Sequence, residues 1–468
     1  MWRKVSPNVS AQSGRHACIA SRIDHRMIHT HPLHIQQAAS SPEAARRDAQ
    51  TLPSQIDVAV IGGGIIGLST ALELARNGIK VAVFEKGYLA GEQSSRNWGW
   101  IRSLARDTKE LPLARLADAA WQDMQSRIDV GYRRTGLAYL VSSEAQMAKY
   151  EKWRTAAQDC GYSAKVLSGA GLARLLPGAA RSWAGALYGA DDGVAEPGLA
   201  SAAIALLAEA AGATIHTHCA VRGVDVAAGK VAGIVTERGR IRCDRVVLAG
   251  GAWSRLMCGN HGIAFPQLQV RASVMRTGPL DAGLDITINS EGFTCRKRQD
   301  GGYTVSQAGG STADLTPDSI RLFRQFMPAW LAERKYLKLR VGRRFVDEWR
   351  MPRRFSLDKL TPFETSRMLD PAPSMPMMRD ALQNLKAAFP AFAQATVAHA
   401  WAGMIDVTPD ALPAISAVRK LPGFYLASGF SAHGFGIGPA AGALMADLVR
   451  GVTPRVNADA FSLERFGE

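Results

Sequence analysis

The strongest chemical pattern in this sequence is three glycines and an acid. Gly62, Gly64 and Gly67 stand in G-x-G-x-x-G spacing, and Glu85 follows them by roughly 20 residues, the separation of a dinucleotide fingerprint. The first glycine permits a tight turn. The second lets a pyrophosphate approach the backbone, and the third lets a helix pack close to a strand. Glu85 is placed to accept hydrogen bonds from an adenosine ribose, with Lys86 beside it. A glycine-rich turn in an ordinary α/β protein would not require the acid, so the pattern points to a dinucleotide. It leaves FAD and NAD both open.

Three further stretches carry groups of the same kind. Gly91 to Arg102 holds Ser94, Ser95, Arg96 and Asn97, whose hydroxyls and backbone can donate to phosphate or ring oxygens. Trp98 and Trp100 can flank a ring or anchor the loop to the core. Ala249 and Gly250 follow an apolar run and precede Trp253, small residues that suit a close ligand or backbone. Near the end, Gly429, Gly434, Gly436 and Gly438 offer backbone N–H groups ahead of a helix, expected from Pro439 to Val449, where an anionic ring oxygen can be stabilised.

The elements that must hold these groups read as α/β. Ile56, Val58, Val60 and Ile61 form an apolar run fit for a buried parallel strand, and Leu68, Leu72 and Leu74 are apolar positions of the next helix, stopped at Asn77-Gly78. A second strand ends at Glu85. Helices are expected over 111–128, 143–160 and 198–211, and a hairpin turns around Gly229. A strand from Arg245 runs into the Ala249–Gly250 pair. From Pro266 to Arg354 the α/β regularity is lost, and strands near 293–296 and 303–306 suit an antiparallel sheet.

Bulk properties exclude several classes. The chain has 468 residues, 47% apolar and 21% charged, the balance of a globular protein with room for two or three domains. No apolar run is long enough to cross a bilayer. The net charge of +15 is divided between the first fifty residues and one later segment, and no nucleic-acid module accompanies it, so no nucleic-acid partner is expected. Arg321 to Arg354 holds eleven Arg or Lys against three acids, interleaved with Phe326, Trp330, Phe345 and Trp349. That segment is either a solvated basic face or a docking site for an acidic redox partner or an anionic membrane. Six cysteines without a C-x-x-C pair imply a reducing compartment, and no metal cluster is expected. The first fifty residues, rich in Arg, Ser and His, read as a flexible extension. They suit a mitochondrial-type presequence or an upstream start with Met27 near the natural beginning, so the location expected is cytoplasmic, with the mitochondrial matrix as alternative.

With those segments assembled, the chain resembles the D-amino-acid-oxidase-like (DAO) family of FAD-dependent amine and amino-acid oxidoreductases, from about Gln55 to Gly451. The carriers are Ile61-Gly-Gly-Gly-Ile-Ile-Gly67, Ser94-Ser-Arg-Asn97, Val246-Val-Leu-Ala-Gly-Gly-Ala-Trp-Ser254, Val407-Thr-Pro-Asp410 and Gly429-Phe-Ser-Ala-His-Gly434. The resemblance implies FAD rather than NAD. It implies a discontinuous Rossmann-like α/β FAD domain (54–130, 190–265 and 396–455) with an inserted α+β substrate domain (131–189 and 266–395) on a mainly antiparallel sheet. Residues 1–53 and 456–468 are left as extension and tail. Val221 and Phe435 join the expected cofactor contacts. Hydride would pass from the carbon bearing nitrogen to flavin N5, the imine would hydrolyse, and electrons would go to oxygen or a carrier. A flavin-binding partner protein without turnover is the competitor from another class.

Departures from the family pattern narrow the expectation. Sarcosine-oxidase-like relatives carry a cysteine for covalent flavin just before Val-Thr-Pro-Asp; this chain has Gly403 to Asp406, so FAD is expected to be non-covalent. Their lysine after His-Gly-Phe is Gly436 here, and the carboxylate-binding arginine of glycine-oxidase-like relatives is Ile405. Arg102 and Arg296 are candidate replacements. Asp406 is a candidate to attract a substrate ammonium, or else orders its own turn. His433 is a candidate base, or a structural member of the flavin loop, and His399 beside Trp401 reads as a core histidine.

Overall fold

The computed structural model describes residues 42–334 and 337–467. Cys18, the basic residues before it and Met27 lie outside them. The strand Val58–Ile61 is buried along its whole length and pairs in parallel with Val81–Phe84 on one side and Arg245–Leu248 on the other. Burial on both faces is what a continuous apolar run dictates in a parallel sheet. Thr214–His216 and Phe424–Ser428 extend the sheet at its two ends, and Ala414–Ala417 closes it antiparallel, for six strands. The hairpin around Gly229 is present as Val221–Ala227 and Lys230–Thr236, continued by Gly239–Arg242.

One face of this sheet carries the helices Ile65–Arg76, Leu111–Arg127, Pro197–Ala210 and Gly434–Arg450. The first and last of these come from opposite ends of the chain and touch backbone to backbone. A Cβ on Gly442 would stand 2.5 Å from Ser69 and 2.6 Å from the Thr70 nitrogen, so only glycine fits the crossing. This contact fixes the C-terminal segment against the fingerprint helix.

The second sheet has ten strands. Its central pair is antiparallel, Leu268–Thr277 against Val397–Val407 over their whole lengths. Phe293–Lys297 and Tyr303–Ser306 follow as the sequence implied, and helix Met375–Ala388 covers one face with Met377, Met378, Ala381 and Leu385. Most pairings are antiparallel; Leu137–Val141 with Thr287–Ser290 is a parallel exception.

The structure moves several expected boundaries. Residues Val397–Val407 belong to the large antiparallel sheet rather than to the FAD domain, because their partner is Leu268–Thr277. Residues 361–367, expected in the substrate domain, lie back on the first domain: Phe363 enters its core and Arg367 pairs with Glu237 at 2.5 Å. The last stretch of the extension is ordered too. Pro42–Ala49 is a helix held by Arg47, which donates to Glu209 at 2.7 and 3.0 Å. The tail is anchored by Phe461 and Leu463 in the core and by Arg465 on Asp410. Finally, the last long helix begins at Gly434 rather than Pro439, so Gly434, Gly436 and Gly438 lie within its opening residues while Gly429 stays in the turn before it.

Candidate active site

A cleft opens at the carboxyl ends of Val58–Ile61, Val81–Phe84 and Arg245–Leu248, the place where ligands bind in open α/β sheets. Gly62 forms its floor with φ +110°, and a Cβ there would lie 2.4 Å from the Ala249 carbonyl. Gly67 sits against the Gly62 carbonyl so closely that a Cβ would overlap it. Both glycines are therefore required by backbone proximity. Gly64, Ala249 and Gly250 line the same cleft.

Glu85 is engaged with the glycine turn itself. Its Oε2 accepts from Gly63 N and its Oε1 from Gly87 N, each at 2.8 Å. Burial pushes its pKa up, while Lys86 and the two N–H groups oppose the shift. Lys86 donates to the Ser366 and Arg367 carbonyls at 3.0 and 2.8 Å and lies 4.1 Å from the centre of the Trp253 ring. Trp253 is held in turn by its indole N–H on Glu92 at 2.9 Å. Val221 completes this side.

At the head of helix Ile65–Arg76, Ser94 Oγ accepts from Ile65 N at 2.9 Å, and Asn97 ties the segment by donating to the Ser94 carbonyl at 2.8 Å. Ser94, Asn97, Gly434 and Phe435 line the cleft. Sequence reasoning missed Gln93, whose buried Oε1 has no partner among the described residues and borders the cleft, and Met404 opposite it. A floor with no room for a Cβ at Gly62, bordered by Gln93 with its unsatisfied Oε1 packed against Gly403, fits close approach of an extended cofactor to the backbone.

Five expected contacts are not among the residues that line the cleft. Ser95 Oγ donates to the Ala90 carbonyl at 2.7 Å. Arg96 is buried and donates to Asp370 at 2.7 Å, to Ala402 O at 2.9 Å and to Gly91 O at 3.0 Å, so it clasps the two domains together. Trp98 packs on Trp100 with ring centres 4.8 Å apart, the loop-anchoring alternative. Gly436 turns its carbonyl to the Trp121 indole at 2.9 Å. Gly429 donates its N–H to Asp406 Oδ2 at 2.6 Å.

One oxygen of the Asp406 carboxylate, Oδ2, is thereby engaged, and Asp406 borders the cleft. The same Oδ2 also receives Gln267 at 3.2 Å and Ser428 at 3.3 Å, and the Asp406 carbonyl accepts from Ser431 N at 2.9 Å. Burial raises its pKa, opposed first by the Gly429 N–H. His433 lies outside the cleft lining, its Nδ1 3.0 Å from Glu110 Oε2. Burial, reinforced by Arg106, pulls His433 down to about 4. Glu110, which burial alone would raise, is held at about 2 by Arg106 and then His433. Sequence reasoning missed Arg106 and Glu110; their spacing of four residues is an ion-pair signal, but nothing local marks Glu110 as a partner of His433.

Of the two candidate arginines, Arg296 is committed to an ion pair. Arg296 is buried and bidentate to Glu196, at 2.8 and 3.0 Å, with its Nε on the Trp98 carbonyl at 2.5 Å. Arg102 donates to the Leu104 carbonyl at 2.5 Å and lies 5.7 Å from the Tyr139 ring centre. A second cavity of about 1470 Å³ adjoins the cleft, sharing Ala252, Trp253 and Met404 with it.

Fold and cleft together define a two-domain flavoprotein type, with a Rossmann-like nucleotide domain and an antiparallel substrate domain. The family described as FAD dependent oxidoreductase (DAO) matches residues 57–448, and the chain belongs to it. Among solved structures, L-amino acid deaminase from Proteus myxofaciens superposes with a TM-score of 0.87 at 33% identity, covering 90% of this chain and 96% of that one. L-amino acid deaminase from Proteus vulgaris gives 0.86 at 30%, over 89% and 98%. Glycine oxidase of Geobacillus kaustophilus is 26% identical over 87% of this chain and 97% of its own. The 4-methylaminobutanoate oxidase of Paenarthrobacter nicotinovorans is 25% identical over 89% of this chain, which spans only 46% of that protein. The cofactor is FAD, and the chain is an enzyme of amine or amino-acid oxidation. Among the described residues there is no metal cluster, and no helix is long and apolar enough to cross a membrane.

Proposed function

We propose that the chain oxidises the C–N bond of a small amine or amino acid, using non-covalent FAD held in the cleft above Gly62. Bound there, FAD supplies a hydride acceptor at N5. The substrate carbon loses hydride, the nitrogen loses a proton, and water converts the imine to a carbonyl compound and ammonia or a smaller amine. Oxygen or an electron carrier takes the electrons. The observation that supports the reading is the meeting, at one cleft, of the Gly62 turn and the start of helix Gly434–Arg450. An elongated cofactor bound there would be held by residues from both ends of the chain.

Within this reading each residue has a defined task. Glu85 orders the Gly63 amide and presents its remaining lone pairs to a ribose. Lys86 and Trp253 brace the adenosine side. Asp406 is a positioning residue: it fixes the Gly429 turn, and through it the N–H groups that open the last long helix. That assignment favours the turn-ordering alternative over ammonium attraction. His433, neutral above about pH 4, has its Nδ1 directed at Glu110, and is structural rather than a base. Arg296 is neutralised by Glu196 and so is not the carboxylate clamp. The test is anaerobic mixing of the yellow holoenzyme with a panel of amines and amino acids. Bleaching of the flavin band by at least one member is expected; a flavin that no member bleaches refutes the reading. Hydrogen peroxide formed in stoichiometric amount separates oxygen from a carrier as acceptor.

A further inference from the structure

The large cavity beside the cleft holds one unmatched charge. Among the described residues its wall carries five arginines and neither lysine nor histidine. Four of the five are bound to acids: Arg255 and Arg353 to Asp318, Arg340 to Asp314, and Arg344 to Glu348. Arg271 forms no ion pair with a described residue. Its guanidinium donates from Nη1 to the Ala372 carbonyl at 3.2 Å, and its buried Nε has no partner among the described residues. Burial pulls its pKa down, Arg340 and Arg344 add to the shift, and Asp314 opposes it. A cation in a partly dry wall without a counter-charge is unfavourable, and an anionic ligand would relieve it.

Its place in the sheet ties this charge to the cleft. Arg271 stands on strand Leu268–Thr277, opposite Met404 on Val397–Val407. Directly opposed residues of an antiparallel pair point to the same face, with Cα atoms about 5 Å apart. Met404 borders both the cavity and the cleft, and Asp406, two residues further on, borders the cleft. The unmatched arginine is thus one strand away from the residue at which the cavity meets the cofactor cleft. Of the earlier candidates, Arg296 is committed to Glu196, and Arg102 lines neither space. Position 271 lies in none of the motifs that mark the family, so no local signal announces it.

We propose, resting on the reading of the cleft as a site of C–N oxidation, that Arg271 holds the α-carboxylate of the substrate. The substrate is then an amino acid rather than a simple amine. A guanidinium fork matches a carboxylate through two parallel N–H···O bonds and keeps its proton there. A substrate ammonium without a carboxylate gains nothing from this cation and is repelled by it. Phe323, Phe326 and Trp330 in the same wall suit the apolar part of such a substrate.

The experiment titrates the FAD-loaded full chain anaerobically with monocarboxylic amino acids of both hands and with their decarboxylated amines. Bleaching by an amino acid should half-saturate roughly tenfold or more below bleaching by its amine. In Arg271→Met the value for the amino acid should rise roughly thirtyfold or more, and that for the amine less than about threefold. Arg271→Lys, which keeps the charge without the fork, should recover part of the difference. Phenylacetate should shift the absorbance of the oxidised flavin and phenylacetamide should not; Arg271→Met should abolish the shift. Flavin content and melting temperature should stay at the parent's values, since Arg271 gives the fold a single hydrogen bond. If Arg271→Met loses FAD, Arg271→Lys carries the test, with the rise still confined to amino acids. Parent-like half-saturation in the variants overturns the proposal. So does equal weakening for amino acid and amine, which marks a structural role. Bleaching by amines alone overturns it too, while leaving C–N oxidation intact. A flavin that nothing bleaches, but that phenylacetate still shifts through Arg271, refutes the oxidation reading alone.

Discussion

Replacing Arg296 by Met asks whether this arginine holds the fold or the substrate. The side chain is 1% exposed, and its loss removes two bonds to Glu196, at 2.8 and 3.0 Å, and one to the Trp98 carbonyl. Breaking a buried ion pair by removing one partner costs about 3–5 kcal/mol, because a desolvated charge is left behind. Here Arg133 at 3.2 Å, Arg298 at 3.9 Å and the Gln299 N–H at 2.9 Å still attend Glu196, which places the loss near the lower end, about 3 kcal/mol. For a chain this long the unfolding entropy is roughly 1 kcal/mol per degree, so the melting temperature should fall by about 3 °C.

The pH dependence sharpens the expectation. Burial would raise the Glu196 pKa, but Arg296 first, then Arg298 and the Gln299 N–H, hold it at about 2. A depressed carboxyl contributes stability that is complete above its ordinary pKa near 4.5 and is lost as pH falls toward 2. The gap between parent and Arg296→Met should therefore be full above pH 4.5 and shrink below it. Adding Glu196→Leu should recover only part of the loss, since the lone carboxylate is removed but Arg298 and the Gln299 N–H then lose their acceptor. Thermal unfolding followed by flavin fluorescence and circular dichroism measures all three variants. The reasoning is refuted if Arg296→Met melts with the parent. It is also refuted if the variant raises KM for an amino acid at least tenfold while leaving KM for the corresponding decarboxylated amine unchanged, because Arg296 would then be holding a carboxylate.

Gly62→Ala forces a methyl to 2.4 Å from the Ala249 carbonyl at φ +110°; the purified protein should be colourless and bind added FAD at least 100-fold more weakly, as judged by flavin fluorescence quenching. Asp406→Asn weakens the bond from Gly429; flavin retention on gel filtration should fall several-fold while KM for amines changes less than threefold, and the opposite pattern restores the ammonium role. Because His433 is depressed to about 4, the unfolded chain binds its proton first as pH drops below 6.5, and stability should fall from there to pH 4 by on the order of 3 kcal/mol. In His433→Gln that part of the slope should vanish in urea titrations at successive pH values. Arg47→Ala removes both bonds to Glu209; protease cleavage before Leu52 should speed up with flavin content unchanged.

What the sequence made legible was local backbone chemistry. Gly62, Gly67 and the flanking apolar runs had one physical reading, since backbone proximity admits only glycine and burial on both faces admits only apolar residues. The late glycines misled by more than a helical turn, because glycine and Pro439 read as a break, whereas close packing on the fingerprint helix and Trp121 outweighs their weak propensity. The side-chain partners could not be read. Arg96 meets Asp370 and Arg296 meets Glu196 across separations of 274 and 100 residues, and nothing local signals either pairing.

Those two arginines show why a polar residue in a recognisable motif is not thereby a ligand contact. In a chain whose flavin domain is interrupted by its substrate domain, a flavin-domain segment that also touches the second domain must both border the cofactor and help lock the halves together. Ser94 and Asn97 border the cleft; Ser95, Arg96 and Trp98 lock, through Ala90, Asp370 and Trp100. Alternation along a short helical turn divides the two tasks, so adjacent residues of one motif carry opposite consequences when changed. Substitutions at Ser94 should alter flavin affinity first, and substitutions at Arg96 should loosen the domain interface first, visible as faster limited proteolysis near Asp370 before any loss of colour.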